Sequence, residues 1–368
     1  MSLLSTLAAA FKGGGRERVP LARSFTSPWS YAFEPAPFEY RGAVARAFVD
    51  NPVAQRAVRL VAEGVGSAPL APASKAALAL VSATSAGQSL LETLAAQILL
   101  HGNGYVQVMR DGAGKPVELF ALRPERVSIE PDASGWPAAY LYRVGERVTR
   151  YPADEIVHVK AFHPTDDHYG LGSLGAAAGA VAIHNAATRW NKALLDNAAR
   201  PSGALVYEGG DGALSPAQFD RLKSEMEESF SGAGNAGRPM LLEGGLSWQA
   251  MSLTPADMDF VGLKAAAARE IALAFGVPPM LLGLPGDAAY ANYREANRAL
   301  WRLAVLPVAG TILDAISQGL ARWWPGNGLA VDMDRVTALA EDRERLWRQV
   351  SAAEFLSDAE KREMVGLA

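Results

Sequence analysis

The residues of this chain that could do chemistry fall into a few groups. Gly170-Leu171-Gly172-Ser173-Leu174-Gly175 is a literal GxGxxG at the start of a helical pattern. At a helix N-terminus such glycines let backbone N–H groups approach a pyrophosphate, and the helix dipole favours the anion. Ile156 begins a strand-like run ahead of it, and Glu208 stands near the end of the next one, where a ribose hydroxyl would need an acid. The fingerprint needs a tight turn directly after the strand, whereas His163 to Tyr169 place seven residues between them. The helix that follows is also long for a unit of ~30 residues. His163, Asp166, Asp167 and His168 offer two imidazoles and two carboxylates, which are zinc donors by type. A polar loop capping the helix uses the same residues, and that reading assigns no metal. His101 and His158 read as packing or turn residues. Arg189 and Lys192 lie on one helical pattern, Lys264 and Arg269 on another, and Arg294, Arg298 and Arg302 form an i, i+4, i+8 stripe. Basic side chains so placed can touch phosphates without reading bases, and plain solvation is the competing use. No Ser, His and Asp stand in the context of a catalytic triad.

Composition narrows the classes. The chain has 368 residues, enough for two or three packed units with a sizeable core. Its hydrophobic share of 49% indicates a folded protein, and the absence of cysteine excludes disulfides and thiolate metal sites. The formal net charge of -4 lacks the basic excess of a protein that grips nucleic acid tightly. MSLLSTLAAAFKGGG has no basic region ahead of its apolar residues and reads poorly as a secretion signal. No uninterrupted apolar run reaches the ~18 residues of a membrane span. Leu303 to Ala321 comes nearest but contains Pro307, Asp314 and Gln318, and reads as a buried helix.

The elements that position these groups follow from turn and cap chemistry. Residues 1–40 read as a loose arm, with Gly13-Gly14-Gly15 followed by prolines among aromatics (Trp29, Tyr31, Phe33, Phe38, Tyr40). Asn51-Pro52 opens a helix, Asn as cap and Pro in the first turn, and Gly64 and Gly66 end it. A second helix covers about Ser89 to Leu100. Tyr105–Met109, Val117–Leu122, Val127–Ile129, Ala139–Val144 and Ile156–Val159 read as strands parted by Pro, Gly and Asp clusters. A long helix spans Leu174 to Ala199 and stops at Arg200-Pro201. A compact insertion of strand (Gly203–Tyr207), capped helix (Ser215-Pro216-Ala217-Gln218 onward) and hairpin (Met240–Met251) follows. Thr254-Pro255 opens a further helix that ends at Phe275-Gly276, where Pro278-Pro279 forbid continuation. The two long helices must run antiparallel for the insertion to sit at their far end. A loop with apolar residues (Met280, Leu281, Leu282, Leu284) precedes a helix from Ala288 to Trp324 with the stripe Val305, Val308, Ile312, Ile316 and Leu320, kinked at Pro307. Glu341–Arg348 and the capping box Ser357–Glu360 mark charged amphipathic helices at the C-terminal end.

The segment IALAFGVPPMLLGLPGDAAYANYREANRALWR (Ile271–Arg302) resembles the helix, tunnel loop and helix of phage portal proteins, the rings through which tailed phages and phage-derived gene transfer agents load double-stranded DNA. His101-Gly102-Asn103-Gly104-Tyr105, Ile156-Val157-His158-Val159 and Tyr169-Gly170 are similar to further landmarks of that family, and the resemblance covers roughly residues 50–325. Where the family usually carries Ser-Pro, this chain has Gly172-Ser173, which leaves the first residue of the long helix open.

The resemblance implies an α+β portal fold. It divides the chain into an arm (1–40), a β-rich wing (41–172), a first stem helix (173–199), a clip (200–253), a second stem helix (254–276), a tunnel loop (277–291), a long kinked helix with wing return (292–335) and a short crown (336–368). It implies a ring of about twelve copies at one capsid vertex of a virion assembled in the bacterial host's cytoplasm. The ring would be non-enzymatic and would hold no cofactor. Its partners would be non-specifically bound double-stranded DNA, the large terminase, the major capsid protein and a head–tail adaptor, with no membrane. Leu282, Gly283, Leu284, Pro285, Gly286, Asp287, Tyr290 and Asn292 would form the tunnel loop, and Arg189, Lys192, Lys264 and Arg269 the basic channel wall. The arginine stripe would meet phosphates or a neighbouring subunit's carboxylates. The second reading is a nucleotide-binding enzyme built on Gly170–Gly175, and a third is a ring-forming adaptor elsewhere in a virion or secretion machine.

Overall fold

The computed structural model describes residues 21, 40–71, 73–196, 203–207, 215–230, 246–250, 260–284, 290–326 and 328–366. The expectations for the aromatic arm, for the hairpin's first half and for the opening of the second stem helix at Thr254 lie outside them. In chain order the elements begin with α1 (Tyr40–Val44), prolonged by π-helical Ala45–Val49, then α2 (Pro52–Gly66) and α3 (Lys75–Ser82). A minimal hairpin β1 (Thr84–Ser85) and β2 (Gln88–Ser89) leads into α4 (Leu90–His101). Strands β3 (Asn103–Arg110), β4 (Pro116–Leu122), β5 (Val127–Pro131), β6 (Pro137–Val144), β7 (Arg147–Pro152) and β8 (Ile156–Lys160) follow. Then come α5 (Ser173–Asp196), β9 (Gly203–Tyr207), α6 (Pro216–Phe230), β10 (Leu246–Ala250) and α7 (Phe260–Ala274). The chain closes with α8 (Tyr290–Leu300), a π-helical turn Trp301–Val305, α9 (Leu306–Leu320), α10 (Ala340–Ala352) and α11 (Asp358–Met364).

The chain divides into two compact units. One comprises residues 1–41, 58–175 and 297–368, the other 42–57 and 176–296. The first contains two antiparallel three-stranded sheets, ordered β4-β3-β8 and β5-β6-β7. Strand β7 and helices α1 and α3 are additions to the sequence reading. Their residues alternate or repeat too weakly to announce an element. On β3, Val106 and Val108 are buried on one face as the alternation predicts, yet Tyr105 is equally buried. Both faces of β3 are covered at that end, which is why the period-2 signal fades there. Tyr105 joins Leu122, Val127, Ile129, Tyr140 and Ile156 in one core cluster shared by the two sheets.

Helix α9 is the second core element of this unit. Asn292–Leu320 is long and apolar enough, by length and composition, to cross a membrane. Its stripe of Val305, Ala309, Ile312, Leu313, Ile316 and Leu320 is nonetheless at most 3% exposed, and α9 packs on β8 and α4. Val308, expected in the stripe, is only half-buried, and Ala309 and Leu313 take the inner positions. The helix ends at Leu320, four residues before the expected Trp324. Pro307 stands at the first turn of α9, directly after the π-helical Trp301–Val305. The wider turn stands beside the proline's missing N–H, at the place where the sequence reading puts a kink. Gly64 and Gly319 mark close helix packing: a methyl at either would strike Val305 Cγ2 at 2.8 Å or Val157 Cγ2 at 2.3 Å.

Helix α5 opens at Ser173, and in the second unit β9 pairs antiparallel with β10, Leu205 opposite Trp248. The strand Leu246–Ala250 thus finds its partner on the far side of α6, joining the chain that leaves α5 to the chain that returns to α7. Helix α6 carries the expected capping box: Ser215 N donates to Gln218 Oε1 at 3.0 Å and Gln218 N to Ser215 Oγ at 3.4 Å.

Candidate nucleic-acid interface

The loop expected to be functional starts from a sharply defined helix end. Gly276 adopts φ +67°, donates to Leu273 O at 3.0 Å, and Val277 donates to Ala272 O at 2.9 Å. These are the paired bonds of a Schellman stop, and they need a residue free to turn left-handed. Buried Ala272, Phe275 and Val277 fix it. Pro278 then feeds a single 3-10 turn, Pro279–Leu282, closed by Leu281 N to Pro278 O at 3.0 Å and Gly283 N to Met280 O at 3.1 Å. Gly283 is left-handed at φ +70°. Met280, Leu281, Leu282 and Leu284 are all half-buried, so this part of the loop is a packed knuckle. Pro285, Gly286 and Asp287 lie outside the described residues. Tyr290 starts α8, and Asn292 is exposed on it.

Of the basic residues expected at a wall, Arg189 and Lys192 are exposed on α5, while Lys264 and Arg269 are half-buried on α7. The structure brings Lys264 near His184 of α5, where burial first and the Lys264 charge second hold the imidazole below its usual pKa. His184 belongs to a buried amide network that sequence reasoning reduced to a cap. Asn51 Nδ2 donates to Asn185 Oδ1 at 2.9 Å and lies 3.1 Å from His184 Nδ1, and its Oδ1 caps Ala54 N at 2.9 Å. Asn185 Nδ2 donates in turn to Arg46 O at 2.8 Å. The neutral imidazole accepts at Nδ1, and the network sets the rotation of α5.

The arginine stripe divides. Arg298 is 8% exposed and donates to Glu341 Oε2 at 2.6 Å, with Asp342 Oδ2 3.5 Å from its Nε. Arg302 lies 3.4 Å from the same Asp342 carboxylate. Both therefore spend their charge on the first turn of α10 within the same chain. The expected meeting with a neighbouring subunit's carboxylates is replaced, for these two, by an internal one.

The GxGxxG segment is a backbone joint. A Cβ on Gly170 would lie 2.1 Å from Gly102 O, and one on Gly172 would lie 2.8 Å from Gly102 N. Gly102 itself is the left-handed stop of α4, at φ +80°. Asn103, 1% exposed, clamps the contact: its Nδ2 donates to Gly170 O at 3.1 Å, and its Oδ1 accepts from Gly170 N at 2.8 Å. The N–H of Gly170, the first of the motif, is thus already engaged. His158 Nε2 also reaches Asn103 Oδ1, at 3.0 Å, and its ring stacks on Tyr105 with centroids 4.4 Å apart. Burial, with the charges of Lys160, His101 and His168 behind it, lowers the His158 pKa to about 3. His101 sits edge-on to Tyr40. Both are packing histidines.

The polar loop before α5 is used locally as well. Asp166 Oδ1 accepts from His168 N and Tyr169 N, His163 Nδ1 accepts from Thr165 N, and His168 Nε2 lies 2.6 Å from Gly135 O. Among the described residues, no three His, Asp or Glu side chains converge as a metal site.

Comparison with known proteins adds to this geometry. The sequence profile described as phage portal protein matches residues 52–366. An uncharacterized protein of Rickettsia felis is 39% identical over 341 residues, covering 87% of this chain and 88% of its own. A chain in the neck of a native gene transfer agent particle, computed with C12 symmetry, is 47% identical, covering 100% of this chain and 99% of its own, with a TM-score of 0.70. A phage portal protein of the HK97 family from Corynebacterium diphtheriae is 18% identical, covering 78% of this chain and 93% of its own at a TM-score of 0.60, a likeness of fold alone.

Proposed function

This chain belongs to the phage portal protein family, and on that premise we propose that it assembles as a cyclic ring of about twelve copies at one vertex of a virion, through which double-stranded DNA enters and leaves the capsid. The observation that carries the reading is the 47% identity over the whole chain to a component of a C12-symmetric particle neck. That likeness favours a gene transfer agent or a related phage-derived particle. The proposed parts are the wing (41–172), stem helices (173–199 and 254–276), clip (200–253), tunnel loop (277–291), long helix (292–335) and crown (336–368). The clip docks the terminase on filling and the head–tail adaptor afterwards. The loop from Leu282 to Asn292 forms the narrowest collar, and Arg189, Lys192, Lys264 and Arg269 supply transient phosphate contacts without base readout. A net charge of -4 suits a conduit in which DNA slides. Energy for translocation comes from the terminase, and this chain hydrolyses no nucleotide. The engaged backbone of Gly170 supports that last point against the enzyme reading.

The test is native mass spectrometry with negative-stain imaging of the purified chain. Closed rings with an axial hole wide enough for a duplex are expected. A monomer or dimer at high concentration would count against the ring.

A further inference from the structure

Among the described residues two helical turns are of the wide π form, Ala45–Val49 and Trp301–Val305. Such turns hold one residue more than the α-helix around them, and they are rare. The first is tied down by side chains. Asn185 Nδ2 donates to Arg46 O at 2.8 Å and Gln55 Nε2 to Phe48 O at 3.0 Å. The second lies inside a continuous helix, Asn292–Leu320, and Leu306 N reaches back to Trp301 O. Among the described residues no side chain donates to a carbonyl of Trp301–Val305. Leu303 stands 75% exposed on it, while Val305 is buried against Gly64.

What holds the second turn comes from outside the helix. Arg298, in the last turn of α8, donates to Glu341 Oε2 at 2.6 Å. Asp342 Oδ2 lies 3.5 Å from Arg298 Nε and 3.4 Å from Arg302 Nη2. That oxygen makes no hydrogen bond, so its hold on the two arginines is by charge. Arg298 precedes the wide turn and Arg302 belongs to it, and a rotation of the helix there would carry both away from the first turn of α10. The residues after the turn cannot follow such a rotation, because Ala309, Ile312, Leu313 and Ile316 are at most 1% exposed in the core.

We propose that Trp301–Val305 is a two-register switch governed by α10. In the register seen, Glu341 and Asp342 hold Arg298 and Arg302, and the spare residue stays in the turn. When α10 withdraws, the turn closes to α, and the helix ahead of it rotates by about 100° and shifts about 1.5 Å along its axis. The two forms differ in their contacts with α10, which is what a bias on such an equilibrium requires. On the portal reading that helix follows the collar loop, so a partner that draws α10 away would act on the loop through the turn. The switch itself does not depend on that reading.

The test is hydrogen–deuterium exchange of the full chain, read by mass spectrometry in two backgrounds. Asp342→Asn keeps the side chain's shape and removes its charge. In the wild-type background it should speed exchange of the amides of residues 297–306 by about threefold or more, the order expected of a partly exposed charge pair, and leave residues 312–320 unchanged. Deleting Leu303 removes the spare residue without changing the register on either side. That variant should keep the wild-type circular dichroism, and adding Asp342→Asn to it should leave exchange of the same amides unchanged. Faster exchange in both backgrounds would reduce the clamp to a brace and overturn the switch. So would unchanged exchange in the wild-type background, or a Leu303 deletion that fails to fold, since the turn would then hold no removable residue. None of these outcomes bears on ring assembly, which native mass spectrometry reads separately.

Discussion

Asn103→Ala tests whether the glycine motif is a structural joint. Asn103 is 1% exposed, and its amide serves Gly170 N at 2.8 Å, Gly170 O at 3.1 Å and His158 Nε2 at 3.0 Å. Truncation strands two buried N–H donors and one carbonyl. Each orphan costs about 1–3 kcal/mol, and a water entering the vacated space recovers part of it, so a net loss of about 3–5 kcal/mol is expected. At about 2 °C per kcal/mol for a chain of this size, the melting temperature should fall by about 6–10 °C. Gly170→Ala should be at least as damaging, since its methyl would press on Gly102 O at 2.1 Å and on both Ala161 N and O at 2.8 Å. Those are backbone atoms that cannot swing aside. The assay is thermal and urea unfolding of both variants, with and without millimolar ATP and NAD. A loss under about 1 kcal/mol for Asn103→Ala would refute the joint. A nucleotide-dependent rise in wild-type melting temperature that Gly170→Ala removes would restore the phosphate-binding reading.

Further outcomes follow from the same geometry. His158 is neutral when folded, with a pKa near 3 against an ordinary 6.5. Stability should therefore fall as pH drops below 6.5, by up to about 1.4 kcal/mol per pH unit, and level off below 3. His158→Gln should flatten that part of the profile, and an unchanged slope would sink the assignment. Arg298→Met should weaken the docking of α10 by about 1–3 kcal/mol, less than a fully buried pair because Glu341 is half exposed. Faster proteolysis confined to residues 336–366 is the readout, and a wild-type digest would contradict it. Replacing Leu282–Asp287 with a Gly-Ser linker should leave rings intact while DNA packaging or retention drops. Normal packaging would remove the collar role from the loop.

Local chemistry made much of this protein legible from its sequence. The Asn51 cap, the Ser215–Gln218 and Ser357–Glu360 boxes, the Gly276 stop and the strands from Tyr105 to Val159 depend on residues within a few positions of one another, and the structure has them all. The family could be identified in the same way, because its landmarks are short motifs in a fixed order. The sequence by itself also excluded disulfides. It could not assign Gly170, whose neighbour Gly102 is 68 positions away and whose function depends on an approach of backbone to backbone. Nor could it separate Arg298 from Arg294. They share a stripe, and only the return of α10 to Arg298, 43 residues on, gives that buried guanidinium its carboxylate partner. The pairing of β10 with β9 and the shift of the α9 stripe toward Ala309 and Leu313 have the same origin. Periodicity states that a face is apolar. Which surface covers it is decided by contacts between residues far apart in the chain, and those exist only once the tertiary structure has formed.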